Sequence, residues 1–197
     1  MNAQLDASTR DWAAVRADFP LLTREVHGKP LIYLDSANTG QKPAAVIDTV
    51  DDFYRHHNAN VSRAVHALGS EATEAYEESR KKRAGFLKAH RDELVLCSGT
   101  TFALNLVAYS WALPRLKPGD AILLSRMEHH ANIVPWQLVA ERTGAKIKVA
   151  EIHENGTLDL DALYAVMTPE VKILGLSHVS NVLGTVNPVR EICREAR

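Results

Sequence analysis

Ser177-His178-Val179-Ser180-Asn181-Val182-Leu183-Gly184 follows directly on the apolar run Val171–Leu176, so hydroxyl, imidazole and carboxamide groups gather where a buried strand ends. Ligands of open α/β sheets bind in the crevice outside the carboxyl ends of the strands. Two further segments repeat the arrangement: Ser98-Gly99-Thr100-Thr101 after Leu94–Cys97, and Glu128-His129-His130-Ala131-Asn132 after Ala121–Leu124. Three strand ends carrying such groups predict an α/β fold with a cofactor site on one rim of its sheet.

Working outward, the chain alternates helix and strand without repeats or low-complexity linkers. From Glu93 onward the pattern predicts a strand over Leu94–Cys97, a nearly all-apolar buried helix over Phe102–Trp111, and a strand over Ala121–Leu124. It then predicts a helix over Ile133–Arg142 with Gly144 just past its end, a strand over Ile147–Ile152, a turn at Asn155-Gly156, a helix over Leu160–Met167 and the strand Val171–Leu176. Buried strands alternating with helices mark a parallel sheet covered on both faces. A last helix begins after Pro188 and meets no stop signal before Arg197. Toward the N-terminus, Trp12–Phe19 reads as a short helix ended by Pro20, Leu31–Leu34 as a short strand, and Pro43 as the first turn of a helix whose face carries Val46, Val50, Phe53 and Tyr54. Ser70 is the expected N-cap of the following helix.

The chain has 197 residues, 46% hydrophobic and 24% charged, with a formal charge of -1, enough to bury a substantial core. No basic block with interleaved aromatics is present, which argues against nucleic acid as a partner. Cys97 and Cys193 are too few and too far apart for a disulfide framework or a zinc ribbon; both read as small core residues, and a reducing compartment is expected. Met1–Arg10 lacks the basic and apolar regions of a secretory signal, and no apolar stretch reaches membrane-spanning length. These features predict a cytoplasmic protein without a membrane partner.

Gly99-Thr100-Thr101 lies between a strand and a helix, where backbone N–H groups, hydroxyls and the helix dipole converge on a phosphate, or where threonines simply cap the helix. Neither a P-loop nor a Gly-x-Gly-x-x-Gly fingerprint occurs. Adjacent His129 and His130 point in different directions and are poorly placed to chelate one metal, so no metal site is expected. An imidazole in this position can stack on a planar ligand or carry protons near neutral pH, and the Asn181 carboxamide can either stitch its loop or bond a ring oxygen.

Five strings, in order, resemble one known family. Tyr33-Leu34-Asp35-Ser36-Ala37 with Gln41-Lys42-Pro43, Phe53-Tyr54-Arg55-His56, Gly99-Thr100-Thr101, Met127–Trp136 and His178–Gly184 together look like the SufS-type, group II cysteine desulfurases, from about Phe19 to the end of the chain. The resemblance implies the large domain of a fold-type I pyridoxal-phosphate-dependent transferase, incomplete at its C-terminus: an N-terminal helical segment over 1–30 and a partial cofactor-binding domain over 31–197. It implies pyridoxal 5'-phosphate as cofactor, L-cysteine as substrate, alanine and an enzyme persulfide as products, and sulfur supplied to iron–sulfur cluster assembly. It further implies a homodimer and a sulfur-acceptor protein of the SufE or SufU type.

Carried over residue by residue, Thr100 and Thr101 would hold the phosphate. His129 would stack on the pyridine ring and serve catalysis by moving protons, and Asn181 would bond the ring's phenolic oxygen. Ala37, Asn38, Arg63 and His66 would belong to the substrate side and the entrance loop. Ser62-Arg63-Ala64-Val65-His66 and Ser98-Gly99-Thr100-Thr101-Phe102 depart from the family's usual His-Arg-Gly-x-His and Arg-Gly-Thr-Thr-Glu. The family's ring-pairing aspartate, Schiff-base lysine and persulfide cysteine fall after the last residue of this chain, so the 197 residues are expected not to turn over cysteine alone. Selenocysteine lyase, another class V relative, or a non-catalytic fragment that binds a full-length homologue are the alternative readings.

Overall fold

The computed structural model describes residues 10–63 and 65–197; the first nine residues of the expected helical segment, and Ala64, lie outside that range. Its contacts gather the chain into two units, up to Val95 and from Leu96, and each is described by itself.

The C-terminal unit holds a three-stranded parallel sheet of order β4-β3-β5, formed by β3 (Ala121–Ser125), β4 (Lys146–Ala150) and β5 (Val171–Gly175). Pleat alternation divides β3 between two cores. Ile122 and Leu124 face Ala108, Ala112, Trp136 and Val139, whereas Leu123 packs with Met127, Leu158, Leu163 and Ile192. Helix α4 (Thr100–Val107), its π-helical continuation Ala108–Ala112 and α5 (Val134–Thr143) supply one layer; α6 (Leu160–Val166) and α7 (Val189–Glu195) supply the other. A parallel strand pair needs a helical crossover, and both crossovers are present: β3–α5–β4 and β4–α6–β5.

The helix ends follow from their sequences. Pro135 sits in the first turn of α5, where its missing N–H costs no hydrogen bond, and Gly144 ends the helix in the left-handed region at φ 74°. Asp159 caps α6 by accepting from the Ala162 N–H at 2.9 Å. All five residues of β3 are buried, the pattern of a central strand covered on both faces.

Three expectations need correction. Leu94–Cys97 forms no strand; no neighbouring strand pairs with it among the described residues, and Val95 is 68% exposed. Cys97 and Cys193 are both exposed and are not core residues. Helix α4 is also less buried than its composition implies: Ala108 and Ala112 seal the core, while Phe102, Leu106, Val107, Tyr109 and Trp111 remain exposed.

In the N-terminal unit, α1 (Trp12–Ala17) is capped by Asp11, whose carboxylate accepts from the Ala13 and Ala14 N–H groups at 3.0 Å. The expected strand Leu31–Leu34 does not form. The chain instead makes a two-residue hairpin just before it, β1 (Glu25–Val26) with β2 (Lys29–Pro30), turned by His27 and Gly28, both at positive φ. Two central residues at positive φ fit the right-handed twist of a hairpin; Ile32 and Leu34, beyond it, are left exposed. Helix α2 (Ala44–Asp52) follows Pro43 as expected and runs into a π-helical turn, Phe53–His57, but Val46, Val50 and Tyr54 are exposed.

Helix α3 (Ala67–Phe86) begins four residues earlier than a Ser70 cap requires, because the His66 imidazole accepts from the Gly69 N–H at 3.2 Å and occupies the N-cap position itself. Gly69, Ala72 and Ala84, all on α3, are the buried residues described in this unit. No described helix is long and apolar enough to cross a membrane.

Candidate functional site

β3 is the point from which the C-terminal unit's chain steps first to β4 and then back to β5, so the carboxyl ends of β3 and β5 lie side by side. The loops leaving these two strands enclose a hollow of about 390 Å3, whose lining includes Arg126, His129, His130, Ile152, Asn181 and Leu183.

The first loop is Arg126–Asn132. His129 is the N-cap of a 3-10 turn, His130–Asn132, and its Nδ1 accepts from the Ala131 N–H at 3.0 Å. Using the Nδ1 lone pair this way leaves Nε2 as the N–H of the neutral ring. The His130 ring is tilted 57° from that of His129 with centroids 6.2 Å apart, so the two imidazoles do not converge on one ligand atom. No group of three or more His, Cys, Asp or Glu residues among those described could hold a metal ion.

The second loop, His178–Asn187, is a small hairpin. Val179 bridges Val186, the Ser180 N–H donates to the Thr185 carbonyl at 2.9 Å, and Gly184, at φ 70°, closes the turn by donating to the Ser180 carbonyl at 3.0 Å. The Ser180 hydroxyl, 3% exposed, accepts from the Leu183 N–H at 3.1 Å. Asn181 sits at the tip, exposed, and its carboxamide stitches nothing among the described residues. It is therefore available to a ligand.

Thr100 and Thr101 open α4, which packs against the 3-10 turn that follows His129. The residue before them, Gly99, is the N-cap and brings no side-chain acceptor. The threonines lie inside the helix, at its first two positions, rather than capping it. The first-turn N–H groups and both hydroxyls lack described protein acceptors, and such an open N-terminus is suited to an anion.

Arg126, the guanidinium beside the hollow, is committed elsewhere. It donates from Nε and, at 2.5 Å, from Nη2 to the Glu151 carboxylate. That hydrogen bonding raises the arginine pKa and lowers the glutamate's.

In the wall of the hollow Glu128 centres a polar network that no motif marks. Glu128, 8% exposed, accepts from Ser125 Oγ at 2.5 Å, Asn132 Nδ2 at 2.8 Å, the Ser177 N–H at 2.9 Å and Ser177 Oγ at 2.7 Å. Asn132 Oδ1 in turn accepts from the indole N–H of buried Trp136 at 2.9 Å, and Asn187 Nδ2 donates to the Ser177 carbonyl at 2.8 Å. The spacing Ser125-x-x-Glu128-x-x-x-Asn132 was the available sequence signal. The partner from β5, 49 residues away, was not readable from spacing.

The remaining candidates lie in the N-terminal unit. Ala37 and Asn38 belong to a turn in which the Asn38 and Thr39 N–H groups donate to the Asp35 carbonyl and the Tyr33 hydroxyl donates to the Thr39 carbonyl at 2.7 Å. Arg63, at φ 55°, precedes the α3 cap His66, and the neighbouring Ser62 N–H donates to Thr73 Oγ1 at 2.9 Å.

Comparison with known proteins gives these features a lineage. The chain is 72% identical over 187 residues to a probable cysteine desulfurase of Xylella fastidiosa, covering 95% of this chain and 45% of that protein. It is 50% identical over 184 residues to a cysteine desulfurase of Salmonella newport, covering 93% and 45%. Among solved structures, the apo cysteine desulfurase of Thermococcus onnurineus superposes with a TM-score of 0.86 at 38% identity, covering 96% of this chain and 46% of that one. The cysteine desulfurase CsdA of Escherichia coli gives 0.78 at 39%, covering 92% and 45%. The chain thus spans under half the length of these relatives and takes the corresponding part of their α/β fold. Residues 32–197 match the class-V aminotransferase family, and the chain belongs to that family.

Proposed function

We propose that this chain is the cofactor-binding part of a pyridoxal-phosphate-dependent cysteine desulfurase of the SufS type, a homodimer in the cytoplasm that takes sulfur from L-cysteine, releases L-alanine and passes a persulfide to a SufE- or SufU-type acceptor for iron–sulfur cluster assembly. One observation carries the reading: His129 and Asn181 line a single hollow, and the Asn181 carboxamide has no partner among the described residues. The names of the relatives and the sequence resemblance support the activity and the substrate.

The residues fit the cofactor. The start of α4, without a side-chain cap, and the Thr100 and Thr101 hydroxyls would hold the phosphate. The His129 ring, with Nδ1 tied to the backbone, presents its face and its Nε2–H to a planar ligand. Asn181 would donate to an oxygen on the ring. When bound, pyridoxal phosphate supplies an electron sink for chemistry at the substrate's α-carbon. The protein side binds, orients and moves a proton at His129 Nε2, while the resemblance alone assigns Ala37 and Asn38 to the substrate side and Arg63 and His66 to the entrance loop.

Pyridoxamine 5'-phosphate is the suitable probe, since it carries the same phosphate and ring but no aldehyde to react with surface lysines. Titration followed by ring fluorescence is expected to show saturable binding. Asn181→Ala should weaken it about fivefold to tenfold, the worth of one hydrogen bond, and the Thr100→Ala/Thr101→Ala pair should weaken it more and remove competition by inorganic phosphate. Equal binding by all three proteins would reject the assignment.

A further inference from the structure

Resting on the cofactor reading above, we propose that Glu128 is a positioning residue: its buried carboxylate, as an acceptor without donors, locks the His129 loop and the start of the Asn181 loop into one frame. The Asn187 carboxamide also bridges the loops, donating to Met127 Sδ at 3.3 Å and to the Ser177 carbonyl at 2.8 Å, but Glu128 is the group that gathers four donors from both. Ser125 ends β3, Asn132 closes the 3-10 turn that begins at His129, and Ser177 follows β5. All three donate to Glu128. Its sequence neighbour is His129, while Ser177 leads through His178 and Val179 into the hairpin that carries Asn181.

The donor pattern makes the carboxylate irreplaceable by its amide. One oxygen accepts from Ser125 Oγ and the Ser177 backbone N–H; the other accepts from Asn132 Nδ2 and Ser177 Oγ. A glutamine NH2 in the first position would face the Ser177 N–H, which cannot accept. In the second position it would face the Asn132 NH2. Flipping Asn132 moves the conflict onward, because its Oδ1 already accepts from the Trp136 indole N–H, a donor without acceptor capacity. Either orientation of Glu128→Gln therefore opposes two donors in a buried site, although the side chain keeps its size.

The same donor pattern specifies a rescue. In Glu128→Gln/Asn132→Asp the new glutamine donates to one oxygen of the new aspartate, whose other oxygen accepts from Trp136; the Ser177 N–H and the Ser125 hydroxyl keep the glutamine oxygen as acceptor, and Ser177 Oγ turns to accept the second hydrogen of the glutamine NH2. Net charge and heavy-atom count are unchanged. Asn132→Asp alone sets two carboxylates face to face.

Two readouts on the full 197-residue chain separate this inference from the cofactor reading. Amide chemical shifts of His129, Ser177 and Asn181 report the frame without any ligand; titration with pyridoxamine 5'-phosphate reports its consequence for binding. Each single variant is expected to displace those shifts and weaken binding about tenfold to a hundredfold, the range for an unsatisfied buried donor, and the double variant is expected to recover both. Unperturbed shifts in Glu128→Gln, or a double variant no better than the worse single one, would overturn the positioning role. Failure of the parent chain to bind pyridoxamine 5'-phosphate would overturn the cofactor reading instead, with the shifts still deciding the role of Glu128.

Discussion

Replacing Gly175 by alanine tests how tightly the sheet end holds the site. Gly175 ends β5, paired with Leu124 of β3, and its φ is not positive, so alanine brings no backbone strain there. Space is the whole issue. A Cβ built on Gly175 would stand 2.7 Å from Leu124 Cδ2, 3.1 Å from Asn132 Oδ1 and 3.3 Å from Asn132 Nδ2. Carbon atoms prefer separations of about 3.5–4.0 Å, so the Leu124 methyl must retreat by roughly 1 Å inside a core where that residue is 1% exposed. Asn132 cannot yield freely either, because both ends of its carboxamide are bonded, to Glu128 and to Trp136. Overpacking of this kind costs about 1–3 kcal/mol, and loosening one of the two hydrogen bonds adds about 1 kcal/mol.

The expected loss is therefore about 2–4 kcal/mol, read by urea unfolding in a Trp12→Phe/Trp111→Phe background that leaves buried Trp136 as the reporter. Its native emission should also shift as the indole N–H loses its fixed acceptor. The companion Leu124→Ala/Gly175→Ala protein removes the methyl that the new Cβ would strike, so the two substitutions together should cost at least 1 kcal/mol less than the sum of their separate effects, as expected for neighbours in contact. A Gly175→Ala chain within about 0.5 kcal/mol of its parent, the range of an ordinary surface change, and with unaltered Trp136 emission, would show that the close approach is not a constraint.

Leu163→Ala, at a fully buried site in the α6 layer, should destabilise the C-terminal unit by about 2–5 kcal/mol in the same urea assay. Gly144→Ala should cost about 1–2 kcal/mol for its left-handed conformation, and more because the added Cβ would lie 2.9 Å from Pro118 Cγ; thermal unfolding measures both variants. The hydrogen bond from Lys148, followed by that from Thr168, lowers the Glu170 carboxyl from 4.5 to about 2. A carboxyl depressed on folding contributes stability that is fully present above its unfolded value and lost as the pH falls through its folded one, so the loss runs from about pH 4.5 down to about 2, and Glu170→Gln should flatten the acid-unfolding curve across that interval.

The parallel-sheet unit was legible because its signals are local and redundant. Ala121–Leu124 is apolar at every position, Gly144 follows a helical period, and Asn155-Gly156 marks a turn, so β3, α5 and the later elements stand within a residue or two of where the sequence places them. Leu94–Cys97 and Leu31–Leu34 have the same apolar character yet form no strand, since a strand exists only with a partner and the pairing of distant segments is not written in either run. The Ser70 expectation failed for a different reason: a histidine nitrogen can accept a helix N–H as a serine oxygen does, and His66 lies earlier. Of the candidate residues, His129 and Asn181 line the hollow and follow strands as exposed polar groups, whereas Thr100 and Thr101 open α4 and are not among its lining. Glu128 was quoted only as part of a string, because its role depends on Ser177, which the fold alone brings within hydrogen-bond distance.

Two carboxylates flank the hollow, and their surroundings divide the labour between them. Glu151 meets Arg126 on the surface, with side chains 52% and 60% exposed, where water and salt screen the pair and both partners can rearrange. Glu128, 8% exposed, meets four hydrogen-bond donors of the protein, where a mismatched partner costs more than on the surface. Added salt should therefore loosen the Arg126–Glu151 pair and change the charge presented at the mouth of the hollow, while leaving the relative placement of His129 and Asn181 intact. Moving a single hydrogen-bond donor at Glu128 should do the reverse. On the proposed role of Glu128, the buried acceptor would set the geometry of the candidate site and the surface ion pair only its outer field, a division that follows from burial rather than from the charges themselves, which are the same.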